Sequence, residues 1–229
     1  MDHFSQYMDW QDTAALLYFI VGWIAYARYS DHESHSSNNL LAITNRYRML
    51  WMREMIRRDN RSTDAIMVGN LQRSISFFAN TTIFIIAGLV SLLGYHDRSA
   101  AILGNIPFTK ESTPFLWEIK ILLLIIIFIY AFFKYTWSLR QYNYTGIFIC
   151  AVPPHDECHE DLEALTTKGS NLVANAATHF NNGLRAYYFG LGALAWFVHP
   201  LLFILSTTLV IYVTHRREYR SATLRNLSQ

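Results

Sequence analysis

The chain has 229 residues, 52% of them hydrophobic, and a formal charge of +2. Such a balance by itself implies no nucleic-acid partner, and two cysteines are too few for a disulfide-stapled secreted domain. Mean hydropathy is +0.14, as expected of long apolar runs alternating with polar segments.

The first twelve residues carry Asp2, Asp9 and Asp12 and no Lys or Arg, whereas a signal peptide needs a basic start. The first apolar run, about 13–29, is therefore read as a retained span. Ser36-Ser37-Asn38-Asn39 then offers a helix start. Leu40 to Arg58 is amphipathic at helical spacing, with Leu40, Ile43, Tyr47, Leu50, Trp51 and Met55 on one stripe and Arg46, Arg53, Arg57 and Arg58 off it. A further helix begins at Ser62 or Thr63 and runs without proline to about Gly94. Its last part, 74–94, reads as a span, and its first part is too polar for lipid. About 30 residues at 1.5 Å each give roughly 45 Å, more than a hydrocarbon core of about 30 Å, so this helix should project from the membrane.

The 95–114 connection contains Gly104 and Pro107 and reads as irregular. The strongest span is 115–137. Tyr144 to Val152 is apolar but too short to cross, and Pro153-Pro154 closes it. From Asn171 a helical pattern leads into a last span, 187–213, with a kink at Pro200. The fold class read here is all-α: a single membrane domain of four transmembrane helices, two of them extended into the cytoplasm, plus one amphipathic interfacial helix.

Orientation follows from the Lys and Arg of each connection. The N-terminal tail has none, 28–73 has eight, 95–114 has two, 134–185 has four and 215–229 has four. Placing the N-terminus outside puts 12 of these inside and 6 outside, an N-out, C-out arrangement in which the basic tail is the dissenting feature. Without a targeting peptide, a bacterial inner (plasma) membrane is the expected location, with Cys150 and Cys158 as free thiols on its reducing side.

Polar residues at the cytoplasmic edges of the spans make the first candidate site. Arg73, Asn80, Lys134, Arg140 and Arg185 lie there, and Asn171, Asn175, His179 and Asn182 share one helix face. A polar group in hydrocarbon must face protein or water, so Arg73, Asn80, Lys134, Arg140, Asn175, His179, Asn182 and Arg185 read as solute-binding or pore-lining residues of a basic mouth. The plainer reading is that these arginines anchor helices to headgroups while the amides bond neighbouring helices. Asp31-His32-Glu33-Ser34-His35 and His155-Asp156-Glu157-Cys158-His159 carry zinc-competent groups, but at no standard spacing. No P-loop, Gly-x-Ser-x-Gly or His-Glu-x-x-His occurs. No catalytic residue, metal or cofactor is assigned, and an enzyme is not the expected class.

Three stretches are more specific: Phe77-Phe78-Ala79-Asn80-Thr81-Thr82, the run from Lys134 to Tyr144 (Lys-Tyr-Thr-Trp-Ser-Leu-Arg-Gln-Tyr-Asn-Tyr), and the run from His179 to Phe189 (His-Phe-Asn-Asn-Gly-Leu-Arg-Ala-Tyr-Tyr-Phe). Together they resemble the membrane-protein family catalogued as domain of unknown function 599, found in bacteria and plants, over most of the chain. The resemblance implies a four-helix membrane protein and assigns no activity. The functional expectation is a homo-oligomeric channel or transporter for a small ion or polar solute. Its partners would be the lipid bilayer and further copies of itself or other membrane subunits. The alternative is a structural or accessory subunit of a larger membrane complex.

Overall fold

The computed structural model describes residues 9–33, 39–93, 113–153 and 161–227, the side chains of 31–33 excepted. Described residues form seven α-helices and no strand: α1 Trp10–Glu33, α2 Leu40–Ile56, α3 Ser62–Leu92, α4 Pro114–Ala151, α5 Leu162–Ala193, α6 Pro200–Tyr219 and α7 Ala222–Leu227, with a 3-10 turn at Leu194–Phe197. The helix starts are chemically marked. Asn39 Oδ1 accepts the Ala42 N–H at 2.6 Å to cap α2. Thr113 Oγ1 accepts the Leu116 N–H at 3.2 Å ahead of α4, whose first residue, Pro114, has no N–H to leave unsatisfied. Asp161 Oδ1 accepts the Glu163 N–H at 3.0 Å at the start of α5.

Helix α2 ends two residues before the expected Arg58, and α3 matches its expected start. Helix α4 differs from expectation. Its 38 residues join the 115–137 run and the short apolar run after it into one helix. The intervening Ser138 and Tyr142 are buried, so this polar stretch stays helical by packing. Two helices, α3 and α4, are long and apolar enough to cross a bilayer, with 18-residue windows of mean hydropathy 1.9 and 2.4.

The stretch 187–213 is not one kinked helix. Helix α5 stops at Ala193, and the chain reverses through the 3-10 turn before α6 begins at Pro200. His199 Nδ1 accepts the Leu201 N–H at 3.1 Å, which caps the new helix. Proline suits a first helical position better than an interior one, because its ring removes a donor and clashes with the preceding turn. The two helices return antiparallel. Ser206 Oγ donates to the Gly192 carbonyl at 2.7 Å, and the Arg217 guanidinium bonds the Tyr188 hydroxyl at 2.7 Å.

The chain divides into two compact units. Unit 1 takes residues 1–32, 82–131 and 184–217. Its centre is aromatic: Phe19, Phe189, Phe203 and Trp196 are all buried. Trp196 stacks on Phe203 at 5.0 Å, and Phe19 meets Phe189 edge-on at 5.8 Å. Such pairs contribute about 0.5–1.5 kcal/mol each beyond burial. Contacts fix the directions. Phe19 meets Phe203 and Tyr29 meets His215, so α1 and α6 run parallel. Trp117 meets Phe197 and Phe128 meets Tyr187, so α4 and α5 run antiparallel. Unit 1 therefore draws on five helices, α1, α3, α4, α5 and α6, and α1 begins at the opposite end from where α6 finishes.

Unit 2 takes residues 33–81, 132–183 and 218–229. Tyr135 is fully buried between Phe78 and Phe180, with ring centroids at 5.5 and 5.7 Å. Its ring faces Gly183 so closely that a Cβ there would lie 2.5 Å from a ring carbon. Arg61 gathers the end of α4: its NH1 group bonds the Ile149 carbonyl at 3.2 Å and the Val152 carbonyl, and NH2 bonds Pro153 at 2.9 Å and Ile56 at 3.2 Å. These are the orphan carbonyls of a helix terminus, satisfied here by one guanidinium.

Candidate functional site

The residues picked out in the sequence divide between the units. In unit 2, Arg140 lies exposed on α4 with its guanidinium 5.8 Å from the Trp137 ring and 5.7 Å from the Tyr144 ring. Those partners sit three residues before and four after it, the spacing that places side chains on one helix face. Arg140 Nε donates to the Tyr144 hydroxyl at 2.7 Å. Trp137 in turn meets the His179 ring of α5 edge-on at 6.1 Å. Arg140 and His179 are thus linked through one indole. Asn175 is exposed one turn before His179, and Asn182 is half-buried three residues after it.

Arg73 is exposed and bonds Asn70 of its own helix. Asn80 is exposed on α3, and Lys134 is half-buried on α4. Arg185 belongs to unit 1, where its guanidinium lies 6.0 Å from the Tyr26 ring. Arg185 thus lies in a different unit from the other candidates. The side chains of Asp31-His32-Glu33 and the residues Ser34, His35 and 155–159 lie outside the described residues.

Unit 1 holds polar groups that sequence reasoning passed over. Asp12, only 1% exposed, opens α1, and Lys120, 4% exposed, lies in the first turns of α4. Trp196 stands between them in function: its Nε1 donates to Asp12 Oδ1 at 2.8 Å, and Lys120 Nζ lies 5.6 Å from its ring centroid and 5.8 Å from that of Phe197. Around them Trp117, Ile121 and Ile125 pack with Leu89 and Phe197. An ammonium over indole is an electrostatically favoured pairing. Burying an acid and a base costs several kcal/mol per ion unless each is well partnered. The available signal was that Asp12 and Lys120 interrupt the edges of the first and third apolar runs with opposite signs. Both read more simply as flanking charges.

In unit 2, Arg48 of α2 and Tyr142 of α4 influence each other electrostatically. Burial pushes the Tyr142 hydroxyl above its ordinary value, partly offset by the Arg48 charge. Burial lowers Arg48, partly offset by Tyr142.

These features define the class: an all-helical protein with two helices of bilayer-crossing length and apolarity, and an acid and a base buried in one of its units. The chain belongs to the family described as protein of unknown function, DUF599, whose model matches residues 14–223. No curated protein and no solved structure matches the chain.

Proposed function

We propose that this is an integral membrane protein of five passes, N-terminus out and C-terminus in, that moves a small ion or polar solute using Asp12 and Lys120 as its working polar groups. The observation that carries this reading is the burial of those two ionisable side chains among aromatic and aliphatic ones. Ionisable residues inside a membrane bundle are costly, and they mark ion pathways and proton relays. Placement in a bilayer is supported by the outward apolar surface of unit 1: Leu17, Val21, Phe84, Ile126, Leu205 and Leu209 are all exposed. Only 22% of the apolar window of α3 is buried inside the protein. Five passes also answer the dissenting tail. The eight, four and four basic residues of the 28–73, 134–185 and 215–229 connections then share the inner side, against two outside. Because rings fill the centre of unit 1, passage through it needs those rings to move, which favours a transporter over an open pore. Arg73 and Lys134 act in this reading as inner basic charges of unit 2, with Asn80, Asn175, His179 and Asn182 as polar surface of the same unit.

The test is flux in proteoliposomes under imposed gradients of protons, potassium and chloride. The parent protein is expected to conduct one of them, with at least a tenfold loss in Asp12→Asn and Lys120→Met. Equal flux in parent and both variants, or no flux of any of the three, overturns the reading. An accessory role is favoured by one separate observation. Helix α2 leaves Tyr47, Met49 and Leu50 about half exposed beside Arg46 and Arg53, a surface suited to a partner subunit. A stoichiometric foreign subunit in native mass spectra of gently extracted protein would establish that reading.

A further inference from the structure

We infer that Arg140, held between Trp137 and Tyr144, is a binding site for the phosphodiester of an anionic membrane lipid. The inference rests on the bilayer placement proposed above and is independent of the transport reading.

The site is built along one helix. Trp137 and Tyr144 are 47% and 40% exposed, and the guanidinium lies at nearly equal distance from both rings. The donation from Nε to the Tyr144 hydroxyl fixes the fork's orientation and is the only hydrogen bond the Arg140 side chain makes among the described residues. The two terminal nitrogens therefore remain available, side by side, for two oxygens of one phosphate. Planar bidentate recognition of this kind is what distinguishes arginine from lysine.

Position selects the source of the phosphate. The apolar stretch of α4 ends at Trp137, and Arg140 follows three residues later, about 4.5 Å along the axis at 1.5 Å per residue. That depth is the headgroup layer, where tryptophan and tyrosine rings settle and where basic side chains meet anionic lipids. Exposed Phe133 lies one turn before Trp137 on the same face, where an acyl chain would run beside it. An acidic peptide would find no use for that apolar neighbour. A free phosphate would find none for the rings.

The experiment uses the full chain, delipidated in a phosphate-free non-ionic detergent and read by native mass spectrometry. The probes are short-chain phosphatidylglycerol and, separately, inorganic phosphate. Phosphatidylglycerol is expected to remain bound to the parent, with affinity falling about tenfold in Arg140→Gln, the loss of one charge-assisted contact. Arg140→Lys should fall nearly as far, because a point charge cannot supply the fork, and Trp137→Leu should weaken binding without loss of helicity. Arg140 is exposed, so these variants should fold, and circular dichroism verifies it. Lipid binding that is absent in the parent or unchanged in Arg140→Gln overturns the inference. Inorganic phosphate bound as tightly as the lipid, and lost in Arg140→Gln, overturns the lipid assignment in favour of a free anion. Resistance of the protein to carbonate extraction from its own membranes reports separately on the bilayer reading, so failure of one is not mistaken for failure of the other.

Discussion

Replacing Trp196 by phenylalanine removes the indole donor and keeps an aromatic ring in its place. A phenyl ring can keep the stack on Phe203, now at 5.0 Å and 13°. What disappears is the 2.8 Å hydrogen bond to Asp12 Oδ1, between side chains that are each 1% exposed. A hydrogen bond to a charged group contributes about 1.5–3 kcal/mol. The unfolding equilibrium should shift by roughly ten- to a hundredfold. Far-UV circular dichroism during titration of mixed micelles with a denaturing detergent measures this without depending on the lost tryptophan. The double-mutant cycle with Asp12→Ala isolates the pair. Once Asp12 is gone, Trp196→Phe should cost only the small volume lost. A coupling energy below about 0.5 kcal/mol would refute the claim that this bond holds the acid in place.

Four further outcomes are expected. Gly183→Ala should destabilise by about 1–3 kcal/mol, because its Cβ would meet three Tyr135 ring carbons at 2.5, 2.8 and 2.9 Å. Gly69→Ala on α3, with nothing within 4 Å, should instead gain up to about 1 kcal/mol of helix propensity, and thermal denaturation compares the two. A reporter fused to the C-terminus should read cytoplasmic, whereas four passes with the N-terminus outside would put it on the far side. Tyr142 holds its proton more tightly folded than unfolded. The stability this contributes is complete below the unfolded value near 10 and is lost as pH rises through the folded one. Stability measured between about pH 9 and 11 should therefore fall less steeply in Tyr142→Phe.

The local elements were legible because their signals are local. Asn39 caps α2 through its own side chain, and Ser62 begins α3 in a polar break that any reading would notice. The Trp137-Arg140-Tyr144 arrangement was written in the chain too, since its members sit at helical spacing. The reversal at Pro200 was hidden because 187–213 has nearly the length of one tilted span, and a proline at a helix start looks in sequence like a proline at a kink. Contacts from 190 residues away, such as Tyr18 to Thr208 at 2.8 Å, reveal the direction of α6, and no local pattern encodes them. The azimuths of the candidate polar residues were hidden for a similar reason. Position at a span edge gives depth and not azimuth, and Arg73 turns to Asn70 on its own helix. Asp12 and Lys120 were overlooked because charge beside an apolar run is ordinary, and only packing tells a flanking charge from a buried one.

Arg61 ties together carbonyls of Ile56, Ile149, Val152 and Pro153, partners up to 92 residues apart in the chain. One side chain thus terminates two helices at once. The end of α4 cannot fray while the clamp is shut, and opening the clamp also exposes the turn after α2. In hydrogen-exchange terms the two termini form one cooperative opening unit. Amides around 149–152 and 56–61 should share an opening free energy, although isolated helix ends would each exchange at their own rate.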